Sequence, residues 1–149
     1  MQGKRMMLVA AVAGVFCVPG HAAADKIPEQ FVMEAKAVIT EVSVTDVKKM
    51  LDAGEKIILL NVTEKDEFAA EHIAGSINVT RGKLEFMAAS ALPDKGARIV
   101  VYCGTDRRSP LATRTLNELG YRSAVNMTGG LDAWKAAGFP VERKKGTSP

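Results

Sequence analysis

The chain has 149 residues, 47% of them hydrophobic, 25% charged and 5% aromatic. That is the composition of one globular domain with a full core, and it excludes collagen, disulfide scaffolds and wholesale disorder. With 20 basic and 17 acidic residues the net charge is +3, too balanced for a nucleic-acid binder, and no apolar run approaches the about 20 residues of a membrane span.

Residues 1–24 read as an export signal. Lys4 and Arg5 give a positive start, Leu8 to Val18 is an uncharged apolar run, Pro19 and Gly20 break it, and Ala22-Ala23-Ala24 supplies the small residues of a cleavage site. Cleavage after Ala24 is expected, which makes the protein periplasmic or secreted, with no membrane contact once the signal is gone. Removal also takes Cys17 and His21 and leaves Cys103 and His72 as the one cysteine and one histidine. A lone thiol makes no internal disulfide, and one Cys with one His is too small a set for a structural zinc site. No metal is expected.

Residues 25–39 form an extension with a short helix after Pro28. A capping box is expected at Ser43 and Asp46, opening a helix whose apolar face is Val44, Val47, Met50 and Leu51 and which stops at Gly54. Ile57 to Val62 is an apolar run broken only by Asn61, of the kind buried on both faces of a parallel sheet. A short helix follows over residues 64–71, then a short strand over 76–79, a helix over 84–91 and a turn over 93–96. Residues 98–102 read as a second buried strand, 110–119 as a helix with Pro110 in its first turn, and 124–127 as a strand. Gly129-Gly130 leads into a helix that holds Trp134, a core residue, and stops at Gly138. Residues 143–149 read as a polar, solvated tail. Strands alternating with helices at this spacing mean an α/β domain with a mainly parallel sheet, whose ligands bind beyond the carboxyl ends of the strands.

Cys103 stands at such an end. It opens the segment Cys103-Gly104-Thr105-Asp106-Arg107-Arg108-Ser109, which joins the 98–102 strand directly to a helix. Backbone N–H groups wrapped around the sulfur, with the helix N-terminus, form an anion cradle that favours a thiolate. Arg108 is suited to fork onto an anionic substrate above the sulfur. His72, distant in sequence, reads as a turn-stabilising residue rather than a catalytic base.

The chain resembles the single-domain rhodaneses over residues 40–142. The resemblance rests on Leu59-Leu60-Asn61-Val62-Thr63-Glu64, Glu71-His72-Ile73-Ala74-Gly75-Ser76-Ile77-Asn78 and the Cys103–Ser109 loop. It extends to Arg81-Gly82-Lys83-Leu84-Glu85-Phe86, Gly120-Tyr121, Gly129-Gly130-Leu131-Asp132-Ala133-Trp134 and Gly138-Phe139-Pro140-Val141. It implies a five-stranded, mainly parallel sheet with helices on both faces. It also implies sulfur transfer through a persulfide on Cys103, from thiosulfate or a persulfide to cyanide, a small thiol or a protein thiol, with no cofactor. Gly104, Thr105, Asp106, Arg107, Arg108 and Ser109 are then the substrate-binding residues. A non-catalytic sulfur carrier or sulfide-sensing module shares the same motif. A phosphatase or arsenate reductase is disfavoured, because Cys103 to Arg108 is one residue shorter than the related phosphatase loop.

Three residues depart from the family pattern. Asp106 stands where Gly is frequent, and its charge is expected to oppose an anionic donor and the thiolate. Asn61 and Thr63 replace an Asp and an Arg that often support the loop from behind.

Overall fold

The computed structural model describes residues 25–143. The segment 1–24, with the expected export signal, and the tail beyond Arg143 lie outside the described residues.

Twelve short elements alternate along the chain. They are α1 (Pro28–Lys36), β1 (Glu41–Val42), α2 (Val44–Asp52), β2 (Ile57–Asn61), α3 (Lys65–Ala70), β3 (Ile77–Asn78), a 3₁₀ turn (Arg81–Lys83), α4 (Leu84–Ala91), β4 (Arg98–Tyr102), α5 (Arg108–Glu118), β5 (Ala124–Met127) and α6 (Gly130–Ala136). The five strands form one sheet in the order β1-β5-β4-β2-β3. Every pairing in it is parallel, as the expected α/β architecture requires. The carboxyl ends of all five strands therefore share one edge, and β4 occupies the centre.

Strand parity divides the core in two. Leu60, Ile99, Val101 and Cys103 pack with Leu84, Ala88, Ala112 and Leu116 of α4 and α5. Leu59, Val100 and Tyr102 pack on the other face with Val47 of α2 and with Leu131 and Trp134 of α6. Both faces of β2 and β4 are covered, which is why Ile57 to Leu60 and Ile99 to Tyr102 run without polar alternation. Helix α1 packs on α5 and buries Ala35 completely. Leu60 is fully buried in the central layer. Leu60→Ala is expected to cost about 2–5 kcal/mol in urea unfolding, through lost burial and the cavity left behind.

Local chemistry explains where elements begin and end. Ser43 Oγ accepts from the Asp46 N–H at 3.1 Å, so the expected cap is present. The box is not closed in the usual way: the Ser43 hydroxyl donates to the Asp46 carboxylate at 2.7 Å. Asp is one methylene shorter than Glu and meets the Ser43 side chain instead of its backbone. Helix α5 starts at Arg108, two residues before the expected Pro110, which sits within the first turn. Strand β1 and the 3₁₀ turn were not expected from sequence, since two or three residues carry no periodic signal.

Candidate active site

Cys103 follows the last residue of β4 and is a fully buried free thiol. Its parity turns the side chain toward the α5 layer, and its Sγ lies 3.4 Å from the Oγ of Ser109, itself fully buried in the first turn of α5. A thiol at this place donates to Ser109; a thiolate accepts from the Ser109 hydroxyl.

The loop between them is shaped by α6. The Leu131 N–H donates to the Cys103 carbonyl at 2.8 Å and the Asp132 N–H to the Gly104 carbonyl at 3.0 Å. In a trans peptide the N–H points opposite the C=O. Turning these carbonyls onto α6 therefore aims the N–H groups of Gly104 and Thr105 away from it. Among the described residues the N–H groups of 104–107 have no hydrogen-bond acceptor in the protein. The N-cap residue Arg107 supplies no side-chain cap to α5, which leaves that helix's first donors open as well. Unpartnered donors beside a sulfur, at the start of an eleven-residue helix, favour a negative charge there.

Gly130 makes this approach possible. It has φ +60°, and a Cβ built on it would lie 2.5 Å from the Cys103 carbonyl oxygen and 2.7 Å from that of Gly104. In the sequence, Gly129-Gly130 reads only as the entry to a helix. The doubled glycine before an apolar helix was the available signal that two backbones meet.

Arg108 lies close over the loop, with Nη2 3.9 Å from where a Cβ on Gly104 would stand. Its guanidinium is held from the other side by Glu67 of α3. Nη1 donates to Oε2 and Nη2 to Oε1, each at 2.7 Å. The Arg108 pKa is raised: its bonds to Glu67 and the Glu67 charge outweigh the opposing effect of burial. Arg108 thus stands beside Gly104 of the loop but already carries a carboxylate. Glu67 was not singled out in the sequence, because nothing in a short helix announces a contact 41 residues away.

The same fork depresses Glu67. The Arg108 bonds lower its pKa from 4.5 to about 2. A folded pKa below the unfolded value means the pair stabilises fully above pH about 5 and progressively less as pH falls toward 2. With side chains 35% and 44% exposed, the gain is about 0.5–1 kcal/mol. Glu67→Gln should lose that amount at pH 7, and the loss should shrink below pH about 4.5 in urea unfolding.

The remaining loop residues divide by direction. Thr105 is exposed. Arg107 is exposed and turns to α1, where Nη2 donates to Glu29 at 2.6 Å. Asp106 corrects an expectation. Its carboxylate does not act as an opposing charge in the cradle: it is buried against α1 and β5, accepting from Lys36 Nζ at 2.6 Å and Asn126 Nδ2 at 2.8 Å. Its φ of +62° sends the side chain that way. Burial opposes the Lys36 charge, but the bonds to Asp106 and Glu41 outweigh it and raise the Lys36 pKa.

Behind the loop, Asn61 Oδ1 accepts from the Thr63 N–H at 2.9 Å, the Thr63 hydroxyl at 2.6 Å and Asn78 Nδ2 at 2.9 Å. Asn61 and Thr63 thus form a neutral hydrogen-bonded cluster with Asn78. His72 sits in an isolated antiparallel bridge: its backbone pairs with Glu142, its Nδ1 lies 2.8 Å from the Phe68 carbonyl, and its ring stacks on Phe68. Among the described residues no group of three or more His, Cys, Asp or Glu is placed to hold a metal ion.

The rhodanese-like domain model matches residues 43–137, from the start of α2 to the end of α6. The chain belongs to the rhodanese-like domain family. It is 29% identical over 96 residues to the putative sulfur carrier protein YrkF of Bacillus subtilis, covering 64% of this chain and 51% of that protein. It is 35% identical over 70 residues to the thiosulfate sulfurtransferase PspE of Escherichia coli, covering 47% of this chain and 67% of that one. Among solved structures, the polysulfide-sulfur transferase homodimer of Wolinella succinogenes superposes with a TM-score of 0.67 at 31% identity, over 81% of this chain and 90% of that chain. The chain spans about half the length of YrkF. This rhodanese-like domain places its one described cysteine where the strand edge, α5 and α6 converge.

Proposed function

We propose that this rhodanese-like protein is a sulfurtransferase that carries a sulfane sulfur as a persulfide on Cys103. The observation that carries the reading is the Cys103 sulfur buried beside Ser109 Oγ, inside a loop whose carbonyls are drawn outward by α6. A thiolate there attacks the outer sulfur of a donor. With thiosulfate, the new S–S bond forms as the bond to the sulfonate breaks, and sulfite leaves with the electron pair. Cyanide or a thiolate acceptor then attacks the terminal sulfur, forming thiocyanate or an acceptor persulfide and restoring the Cys103 thiolate. This is covalent catalysis with ping-pong kinetics. Loop N–H groups and the Ser109 hydroxyl offset the negative charge that stays on the terminal sulfur between the two steps.

Arg108 offers its charge to the donor's sulfonate, but Glu67 already spans both guanidinium nitrogens. That pair reduces the positive charge facing a dianion and favours a persulfide donor over thiosulfate. Arg108→Ala is expected to lower kcat/KM for thiosulfate by about ten- to a hundredfold, the worth of one charge-assisted bond. Use of a small organic persulfide should fall less. Steady-state kinetics with the two donors test this, and equal losses would remove Arg108 from donor recognition. Export to the periplasm or beyond is part of the proposal, carried by the residue pattern at 1–24. A stoichiometric persulfide with no turnover to cyanide or thiols would make the protein a sulfur carrier, and hydrolysis of an aryl phosphate would make it a phosphatase.

A further inference from the structure

Helix α1 precedes the segment that matches the family model, yet it grips the active loop. Asp106 is the one non-glycine residue with positive φ among those described. Glycine adopts that backbone without cost, whereas a side chain there is strained and persists only if its surroundings hold it. Here the surroundings are a closed ring. Lys36 Nζ donates to Asp106 Oδ2 at 2.6 Å and to Glu41 Oε1 at 2.9 Å. Asn126 Nδ2 donates to Asp106 Oδ1 and to Glu41 Oε1, each at 2.8 Å. Glu41 and Asn126 face one another in the β1–β5 register, so the sheet fixes two corners of the ring. The buried Ala35 anchors α1 on α5 and fixes the third.

We propose that Lys36 is a positioning residue for the Cys103 loop, acting through Asp106. The kinetic part rests on the sulfurtransferase reading above; the structural part does not. Lys36 is the ring's only cation against two carboxylates. Without it, Asp106 and Glu41 share one amide and repel each other, and the Asp106 carboxylate gains by turning to water. Its backbone then relaxes toward negative φ, which rotates the peptides on either side. The N–H groups that α6 aims by holding the Cys103 and Gly104 carbonyls lose their register with those of Asp106 and Arg107. A loop with glycine at this place has no need of the clamp. The substitution of Asp for Gly thus ties sulfur chemistry to a helix outside the matched segment.

The test uses the full chain with Lys36→Met, Asp106→Gly and both together. Two quantities are read: the pH profile of Cys103 alkylation by iodoacetamide, localised by peptide mass, and kcat/KM with thiosulfate and cyanide. Lys36→Met is expected to shift the alkylation profile and lower kcat/KM by about tenfold or more, the cost of misplaced catalytic groups. In the Asp106→Gly background the same change should alter either quantity by less than about twofold, since coupled residues lose their effect when the partner is gone. A lower melting temperature with an unchanged profile and unchanged kinetics would overturn the proposal, and so would an equal Lys36→Met effect in both backgrounds. If Lys36→Met does not fold, the double variant decides: recovery of folding supports the clamp through Asp106, and continued failure overturns it. A wild type without turnover would remove the sulfurtransferase reading alone, because the alkylation profiles still test the clamp.

Discussion

Cys103→Ser is expected to abolish sulfur transfer while the protein keeps its fold. The oxygen fits where the sulfur lies, against Ser109 Oγ in a buried site. A serine hydroxyl there remains protonated, is a poor nucleophile and forms no persulfide. The loss should be at least about a thousandfold in kcat, since removing a covalent nucleophile leaves only binding and charge stabilisation. Thermal unfolding should show a cooperative transition like that of the wild type. Turnover that survives in the folded variant would place the reacting sulfur elsewhere.

Gly130→Ala should be nearly as damaging to activity, and by a different route. The new methyl would stand 2.5 Å from one carbonyl oxygen and 2.7 Å from another, at a φ of +60°. Neither neighbour is a flexible side chain; both are backbone of the active loop. Strain and displacement together are expected to cost about 2–4 kcal/mol of stability. The part that matters for function is where the displacement goes. The bonds from the Leu131 and Asp132 N–H groups to those carbonyls must lengthen, and the peptides that aim the cradle donors must turn. The folded fraction of Gly130→Ala should therefore transfer sulfur about a hundredfold more slowly than wild type. Gly138→Ala provides the contrast: it also has positive φ, at +76°, but its Cβ meets nothing within 4 Å. It should cost stability and spare the rate per folded molecule.

The parts of this structure that were legible in the sequence are those set by local pattern. Ile57 to Leu60 and Ile99 to Tyr102 run without polar alternation because helices cover both sheet faces, and that pattern is visible in one dimension. Cys103 was legible for the same reason, as the first residue past a buried strand and before a helix. Strand β1 was not: Glu41 and Val42 become a strand only because β5 lies beside them. The direction of the loop side chains was also beyond reach. Asp106 reads as a charge near the sulfur until Lys36, 70 residues earlier, is seen to hold it. Glu67 reads as one of several acids in a short helix until Arg108 is found across it. Spacing reveals what a residue's own segment does with it. It does not reveal which distant element supplies the counter-charge, and that partner decides whether a charge serves the substrate or the fold.

The measurement that bears most directly on sulfur transfer is the intact mass of the purified protein before and after incubation with thiosulfate, and separately with a small organic persulfide. One added sulfur, about 32 Da, is expected, mapped by peptide mass to Cys103 and lost on addition of cyanide with release of thiocyanate. A folded protein that gains no sulfur on Cys103 from either donor would contradict the account.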